Sequence, residues 1–197
     1  MEGLLAFVGD GFALIAADAT ARRSILTYQQ ELDRFVQLTT TSGVVGAGDE
    51  GDRVQFLEYI AKNVQLYKMR NGYELSTHAV ANYTRRNVAD FLRSRTPYQV
   101  NMVIAGCDKD VGPSVYFLDY LGCLNKQAFA VQGYASAFLG GLLQQHHKPN
   151  MSREDARVLL MQCLKELKTR FIIAQPYFIY RFIDENGVGE PQHIQVE

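Results

Sequence analysis

The stretch LLAFVGDGFALIAADATA, residues 4–21, decides the fold. Two short apolar runs, 4–8 and 12–17, flank Gly9-Asp10-Gly11. Asp-Gly between apolar runs is a hairpin signal, because a tight two-residue turn needs positive φ. The spacing predicts two antiparallel strands joined by that turn. Asp18 ends the second run, and small residues follow. A carboxylate where a buried strand emerges is a candidate for chemistry, an ordinary strand end, or the remnant of a site whose other parts are gone.

Further short strands are expected near 25–28, 34–38 and 43–47. Then the period changes. Over 52–70, Val54, Leu57, Ile60, Ala61, Val64 and Tyr67 fall on one helical stripe. Asn71-Gly72 supplies a C-terminal stop. Ser76 can cap a second helix, 77–94, carrying Val80, Tyr83, Val88, Phe91 and Leu92 inward, with Pro97 preventing its continuation. Strands are expected again at 100–106, 114–120 and 128–132. Helices follow at 134–145 and 153–170, the latter opened by Ser152 with Asp155 three residues on. Last come strands at 177–183 and 192–196. Helices come in pairs and neighbouring strands are hairpin-linked, which excludes a simple alternating βαβ chain. The fold class is α+β. Two antiparallel sheets packed face to face between helix pairs, a four-layer αββα sandwich, would use every apolar face. No linker or repeat divides residues 1–197, so one domain is expected.

The bulk properties narrow the function classes. The chain has 197 residues, 47% hydrophobic and 21% charged, with net charge −1. That length can bury a large core without disulfides or metals. A balanced charge supplies no global field to draw nucleic acid or an acidic membrane surface. Cys107, Cys123 and Cys163 are far apart and odd in number, which fits reduced thiols of the cytoplasm or nucleus. The first residues lack a basic segment, and Asp10-Gly11 interrupts the apolar stretch, against a signal peptide. No apolar run approaches the ~20 residues of a transmembrane helix.

Several motifs invite chemistry and lose it on inspection. GAGDEG, with Gly46, Gly48 and Gly51, matches G-x-G-x-x-G between a strand and a helix. Yet Asp49, Glu50 and Asp52 already occupy that helix start and would repel a phosphate. His146-His147 are adjacent, so on a helix they point about 100° apart and do not chelate as i, i+4 residues can. They read as a solvated helix end, so no metal or cofactor is expected. Arg85, Arg86, Arg93 and Arg95 form a short basic helix side rather than a nucleic-acid surface. The first helix carries a second apolar signal. Tyr59 and Leu66 lie nearly opposite its main stripe, flanked by Phe56 and Met69. A helix apolar on two sides is covered on both, so these four residues are candidates for contact with another subunit.

Three longer stretches carry a family resemblance: EYIAKNVQLYKMRNGYELS (58–76), TRRNVADFLRSRTPYQVNMVIAGCD (84–108) and GPSVYFLDYLG (112–122). Together with the opening hairpin they resemble a proteasome beta subunit across residues 3–185. The resemblance is strongest to the non-catalytic members at the fourth beta position. It implies the N-terminal-nucleophile hydrolase sandwich and assembly into stacked seven-membered rings around a proteolytic chamber. The implied partners are beta subunits at the third and fifth positions, alpha-ring subunits and the opposite beta ring, with no nucleic acid or membrane. Active members of the family attack with an N-terminal threonine whose own α-amine serves as base. Here the first strand is preceded by Met1-Glu2-Gly3, and the first threonine is Thr20. Cleavage before Thr20 would discard two strands. The family's supporting aspartate matches Asp18, and its lysine aligns with Arg34, which is not a conservative exchange. The serine of its glycine-serine loop falls near Gly133, with Ser136 three residues on. Its late Asp and Ser fall near Phe171 and Ala174. The expectation is a non-catalytic subunit, with Asp18 and Arg34 kept as a structural pair. The rival, a free hydrolase of the same fold, needs a nucleophile that this stretch lacks.

Overall fold

The opening hairpin forms as its composition dictates. In the computed structural model, which describes residues 2–23, 26–173 and 175–196, β1 (Gly3–Val8) and β2 (Phe12–Asp18) pair antiparallel with Val8 opposite Ala13. The Gly9 N–H donates to the Phe12 carbonyl at 2.8 Å, and Gly11 takes a φ of 71° at the turn. Every residue of β2 is buried. A strand buried on both faces reads as a continuous apolar run instead of an alternating one.

The two faces of that hairpin belong to different cores. Leu5, Phe7, Phe12, Leu14 and Ala16 pack toward one pair of helices. Leu4, Ala6, Ala13, Ile15 and Ala17 pack against a second sheet. The rest of the chain supplies those layers. A short ribbon, β3 (Ala21–Arg23) with β4 (Leu26–Gln29), leads to β5 (Phe35–Thr39) and β6 (Ser42–Gly48). Then come α1 (Glu50–Asn71), α2 (Thr77–Leu92), β7 (Val100–Asp108), β8 (Gly112–Leu118), β9 (Leu124–Gln127) and β10 (Phe129–Gly133). The chain ends with α3 (Ser136–His146), α4 (Arg153–Arg170), β11 (Tyr177–Asp184), β12 (Gly187–Val188) and β13 (Gln192–Gln195). One sheet runs β10-β1-β2-β11-β12, with β13 also on β11; the other runs β5-β6-β7-β8-β9. All pairings are antiparallel. A third core, including Val44, Met102 and Ile104 with Leu57, Ile60 and Val80, joins the second sheet to α1 and α2. Three cores between four layers make the αββα sandwich.

Helix ends follow their caps. Asp49 accepts from the Asp52 N–H, Ser76 from Ala79 and Ser152 from Asp155. Gly72 closes α1 in the left-handed region at φ 79°. The interior of α1 differs from expectation. Arg53 is buried and Val54 exposed, because the stem of Arg53 packs over Gly46, which has no side chain to exclude it. Phe56, expected on the outer face, is fully buried against Phe91 and Tyr98. Leu92, expected inward, lies at the exposed end of α2. The short strands β3, β9 and β12 have no apolar alternation to announce them.

Candidate functional site

Asp18 closes β2 with its side chain inaccessible to solvent. Its Oδ1 accepts the Thr20 N–H at 3.0 Å. Oδ2 finds no hydrogen-bond partner among the described residues. Burial pushes this carboxyl above its ordinary range, and the Thr20 bonds and the charges of Arg34 and Arg22 offset the rise only in part.

Arg34 lies beside it, 2% exposed and among the largest fully buried side chains. The Arg34 guanidinium does not engage the Asp18 carboxylate. Its Nε donates to the Asp18 peptide carbonyl at 2.8 Å, and its Nη2 to the Thr20 carbonyl at 3.0 Å. Its ion-pair partner is Glu2, with Nη1 2.6 Å from Oε1. That approach lies off the hydrogen-bonding direction, so the contact is chiefly ionic. The expected Asp18–Arg34 pair is therefore a shared neighbourhood, organised by the backbone between β2 and β3. The Glu2 carboxylate is bound a second time, through Oε2, by the Gly48 N–H at 2.9 Å. Arg53 completes the group of charges. It too is buried, with only Glu50 at 3.8 Å as a salt-bridge partner and no hydrogen-bond partner for its Nε among the described residues. Burial and the like charge of Arg34 favour its neutral form; Glu2 and Glu50 oppose them.

The neighbouring loop is built by glycine. Gly133 sits at φ 73°, and a Cβ there would stand 2.1 Å from the Glu2 carbonyl oxygen. Tyr134 returns an N–H to that same oxygen at 3.2 Å. Ser136 is committed elsewhere, donating to the Gly133 carbonyl at 2.8 Å. Phe171 stacks on Tyr134 with centroids 5.8 Å apart. Ala174, aligned with the second residue of the family's late pair, lies outside the described residues. The link between Glu2 and Gly48 escaped the sequence reading because a contact across 46 residues leaves no local signal.

Gly46 and Gly48 of GAGDEG serve close packing. A Cβ at Gly48 would fall 2.0 Å from the Gln99 carbonyl oxygen, and Asp49 occupies the helix start. The histidine pair divides. His147 is not a solvated end: its Nε2 bonds the Val8 carbonyl at 2.8 Å, and its ring packs against Phe7 and Phe129. No group of three His, Cys, Asp or Glu side chains suited to a metal occurs among the described residues. No described helix is long and apolar enough to cross a membrane.

A family model for proteasome subunits matches residues 2–177. The chain belongs to the proteasome subunit family. Within it, the similar proteins are beta subunits. Proteasome subunit beta type-2-B of Arabidopsis thaliana is 42% identical over 190 residues, covering 96% of this chain and 95% of the relative. Proteasome subunit beta type-2 of Dictyostelium discoideum is 44% identical over 191 residues, covering 95% and 96%. Proteasome subunit beta type-4 of Saccharomyces cerevisiae is 35% identical over 185 residues, covering 93% of each. The role that follows is that of a 20S core beta subunit in protein degradation, and the four-layer sandwich is the architecture the family resemblance implied.

In this proteasome beta subunit the outer face of α1 stands apart from the cleft. Tyr59 is 41% exposed, Leu66 40% and Met69 71%. Beside Met69 a groove of about 720 Å³ runs between α1 and β5, floored by Val36, Leu38, Ala61 and Val64. Glu74 guards its end, holding the Thr40 N–H at 3.0 Å and Lys68 at 2.7 Å.

Proposed function

We propose that this proteasome beta subunit is a non-catalytic building block of the core, at the fourth beta position (type 2 in vertebrate naming). It contributes chamber wall and contact surface while neighbouring subunits cut peptides. One observation carries the reading. At the head of β1, beside Asp18 and Arg34, the side chain in place is the Glu2 carboxylate, held by a buried guanidinium and a peptide N–H. A carboxylate so neutralised is a poor nucleophile toward an amide. A guanidinium in the place of the family's lysine serves as no base. Of the five family positions, Asp18 alone keeps its residue type, and its carboxyl is buried and turned to Thr20.

The partners follow from the family. Beta subunits at the third and fifth positions flank it in the ring, with alpha subunits on one side and the opposite beta ring on the other. Tyr59, Leu66 and Met69 are candidate contact residues. Obligate subunit contacts of this kind bury ~2,000–5,000 Å² each. Three unpaired cysteines agree with residence in cytoplasm and nucleus. The test uses the complex purified through this chain, treated with a covalent inhibitor directed at catalytic threonines and digested for mass spectrometry. The inhibitor is expected on other subunits. A covalent adduct on this chain would overturn the non-catalytic reading. Cross-linking of the same sample identifies the neighbours, and a monomer or small dimer in native mass spectrometry would defeat the assembly claim.

A further inference from the structure

We propose that Arg34 and the Gly48 N–H form a carboxylate-binding site for which Glu2 is the tethered ligand. When that side chain is removed, the site takes a small free carboxylate such as formate.

The site is preformed. Two of the guanidinium's donors are fixed by peptide oxygens, Nε on Asp18 and Nη2 on Thr20. These bonds set the plane of the group independently of Glu2 and leave Nη1 turned to the carboxylate. Gly48 is prepared in the same way. The pairing of β5 with β6 reaches only Phe35–Val45, so beyond Val45 that side of β6 is an open edge. The next residue, Asp49, donates its N–H to the Gln99 carbonyl on the β7 side. Backbone alternation turns the Gly48 N–H the other way, to the open edge, where Glu2 receives it. A guanidinium charge beside one oxygen and an N–H bond to the other hold a single carboxylate from two sides.

The electrostatics require an anion there. Arg34 and Arg53 are both buried, and each acts on the other as a like charge. Asp18 is a weak counter-ion, since burial favours its neutral form. Glu2 is the carboxylate that acts on both guanidinium groups, and without it two buried cations lose a shared counter-ion. The ligand class is a small planar carboxylate. The Glu2 side chain is about one-eighth exposed, so the site opens toward solvent and a free anion has a path in.

The experiment is hydrogen exchange, followed by mass spectrometry, at the segment ending in Gly48. It uses the complex purified through the full chain, either wild type or Glu2→Ala. In the variant the Gly48 amide is expected to exchange faster by on the order of tenfold, the value of a lost charge-assisted bond. Sodium formate is expected to slow it again in a saturable manner, while sodium chloride at equal ionic strength does not. Wild type is indifferent to both salts. Unchanged exchange in Glu2→Ala, or equal protection by chloride and formate, would overturn the proposal. Should Glu2→Ala fail to assemble, Glu2→Gln decides. It keeps the shape and an acceptor but not the charge, and it is expected to lower the melting temperature of the complex. A melting temperature equal to wild type would refute the need for a carboxylate.

Discussion

Two regions of the molecule handle surface in opposite ways. The cleft at the end of β2 holds Asp18, Arg34, Arg53 and Glu2 and spends its donors internally, on two peptide carbonyls and one tethered carboxylate. The outer face of α1 leaves Leu66 and Met69 in water, with Met69 at the rim of an apolar groove and Tyr59 half-exposed against Phe91. Buried charge is tolerable only when paired, and contiguous exposed apolar surface marks a place where something docks. The charges at the end of β2 are met by the chain's own groups, with Glu2 about one-eighth exposed, and the exposed apolar surface lies on the helix. The division agrees with the proposed role in assembly.

The largest break in that comparison should come from Arg34→Ala. It strands the Asp18 and Thr20 carbonyls and the Glu2 carboxylate together, and about 3–5 kcal/mol of stability should be lost. Denaturant unfolding of the full chain reads this as a fall in midpoint at unchanged slope. A loss under ~1 kcal/mol would show that Arg34 holds nothing together.

The two sides of α1 offer the next contrast. Phe56→Ala opens a hole among Phe91, Tyr98 and the helix's own sheet, at a cost of about 3–5 kcal/mol. Leu66→Ser and Met69→Ser, at exposed positions of the helix, should leave the stability of the chain within about 0.5 kcal/mol of wild type. The double variant should instead assemble poorly, seen as free chain in native mass spectrometry. Normal assembly would move the docking surface away from α1.

Those two sides also show what local sequence can convey. Asp10-Gly11 announced its hairpin, and Asp49, Ser76, Gly72 and Ser152 announced their helix ends, because each acts on neighbours within four residues. The αββα layering followed from the order of these elements. Phe56 was misplaced because its cover, Phe91 and Tyr98, comes from parts of the chain whose packing the period of α1 does not encode. Arg53 and Val54 were exchanged for a similar reason, since Gly46 on the adjacent strand makes room for an arginine stem. The cleft was legible in its members Asp18 and Arg34 but not in its wiring. The link from Arg34 to Glu2 and on to Gly48 spans the sheet.

A smaller effect isolates the start of α1. Asp49→Ala removes the acceptor for the Asp52 N–H next to the strand residue that holds Glu2, and should cost about 1 kcal/mol. Asp49→Ser should restore most of it. Failure of serine to do so would mean that Asp49 acts through its charge on the cleft and not as a cap.

Titration provides the finest test, because two aspartates near Arg34, Asp18 bonded to it through its carbonyl and Asp33 next to it in sequence, carry opposite signs. At Asp33, burial alone would raise the carboxyl, but the Arg181 hydrogen bonds at 3.0 and 2.5 Å, the Phe35 N–H and the Arg181 charge outweigh it and lower it below 3.8. Its stabilising contribution is full above that ordinary value and disappears as pH falls through the lower folded one. Asp18 is raised above 3.8, chiefly by burial. The folded state therefore holds its proton more tightly than the unfolded chain does. Asp18 contributes stability below the ordinary value, and that contribution is lost as pH climbs through the folded one. Asp18→Asn keeps an acceptor for the Thr20 N–H and abolishes the titration. Its stability should lie within about 1 kcal/mol of wild type at neutral pH, with the pH slope above 3.8 reduced and the Asp33 slope below it intact. Unfolding midpoints across that range would show a steeper loss in Asp18→Asn at neutral pH only if the ionised carboxylate were balancing Arg34 after all. In that case the cleft would depend on two anions, and Glu2 would lose its place as the one that matters.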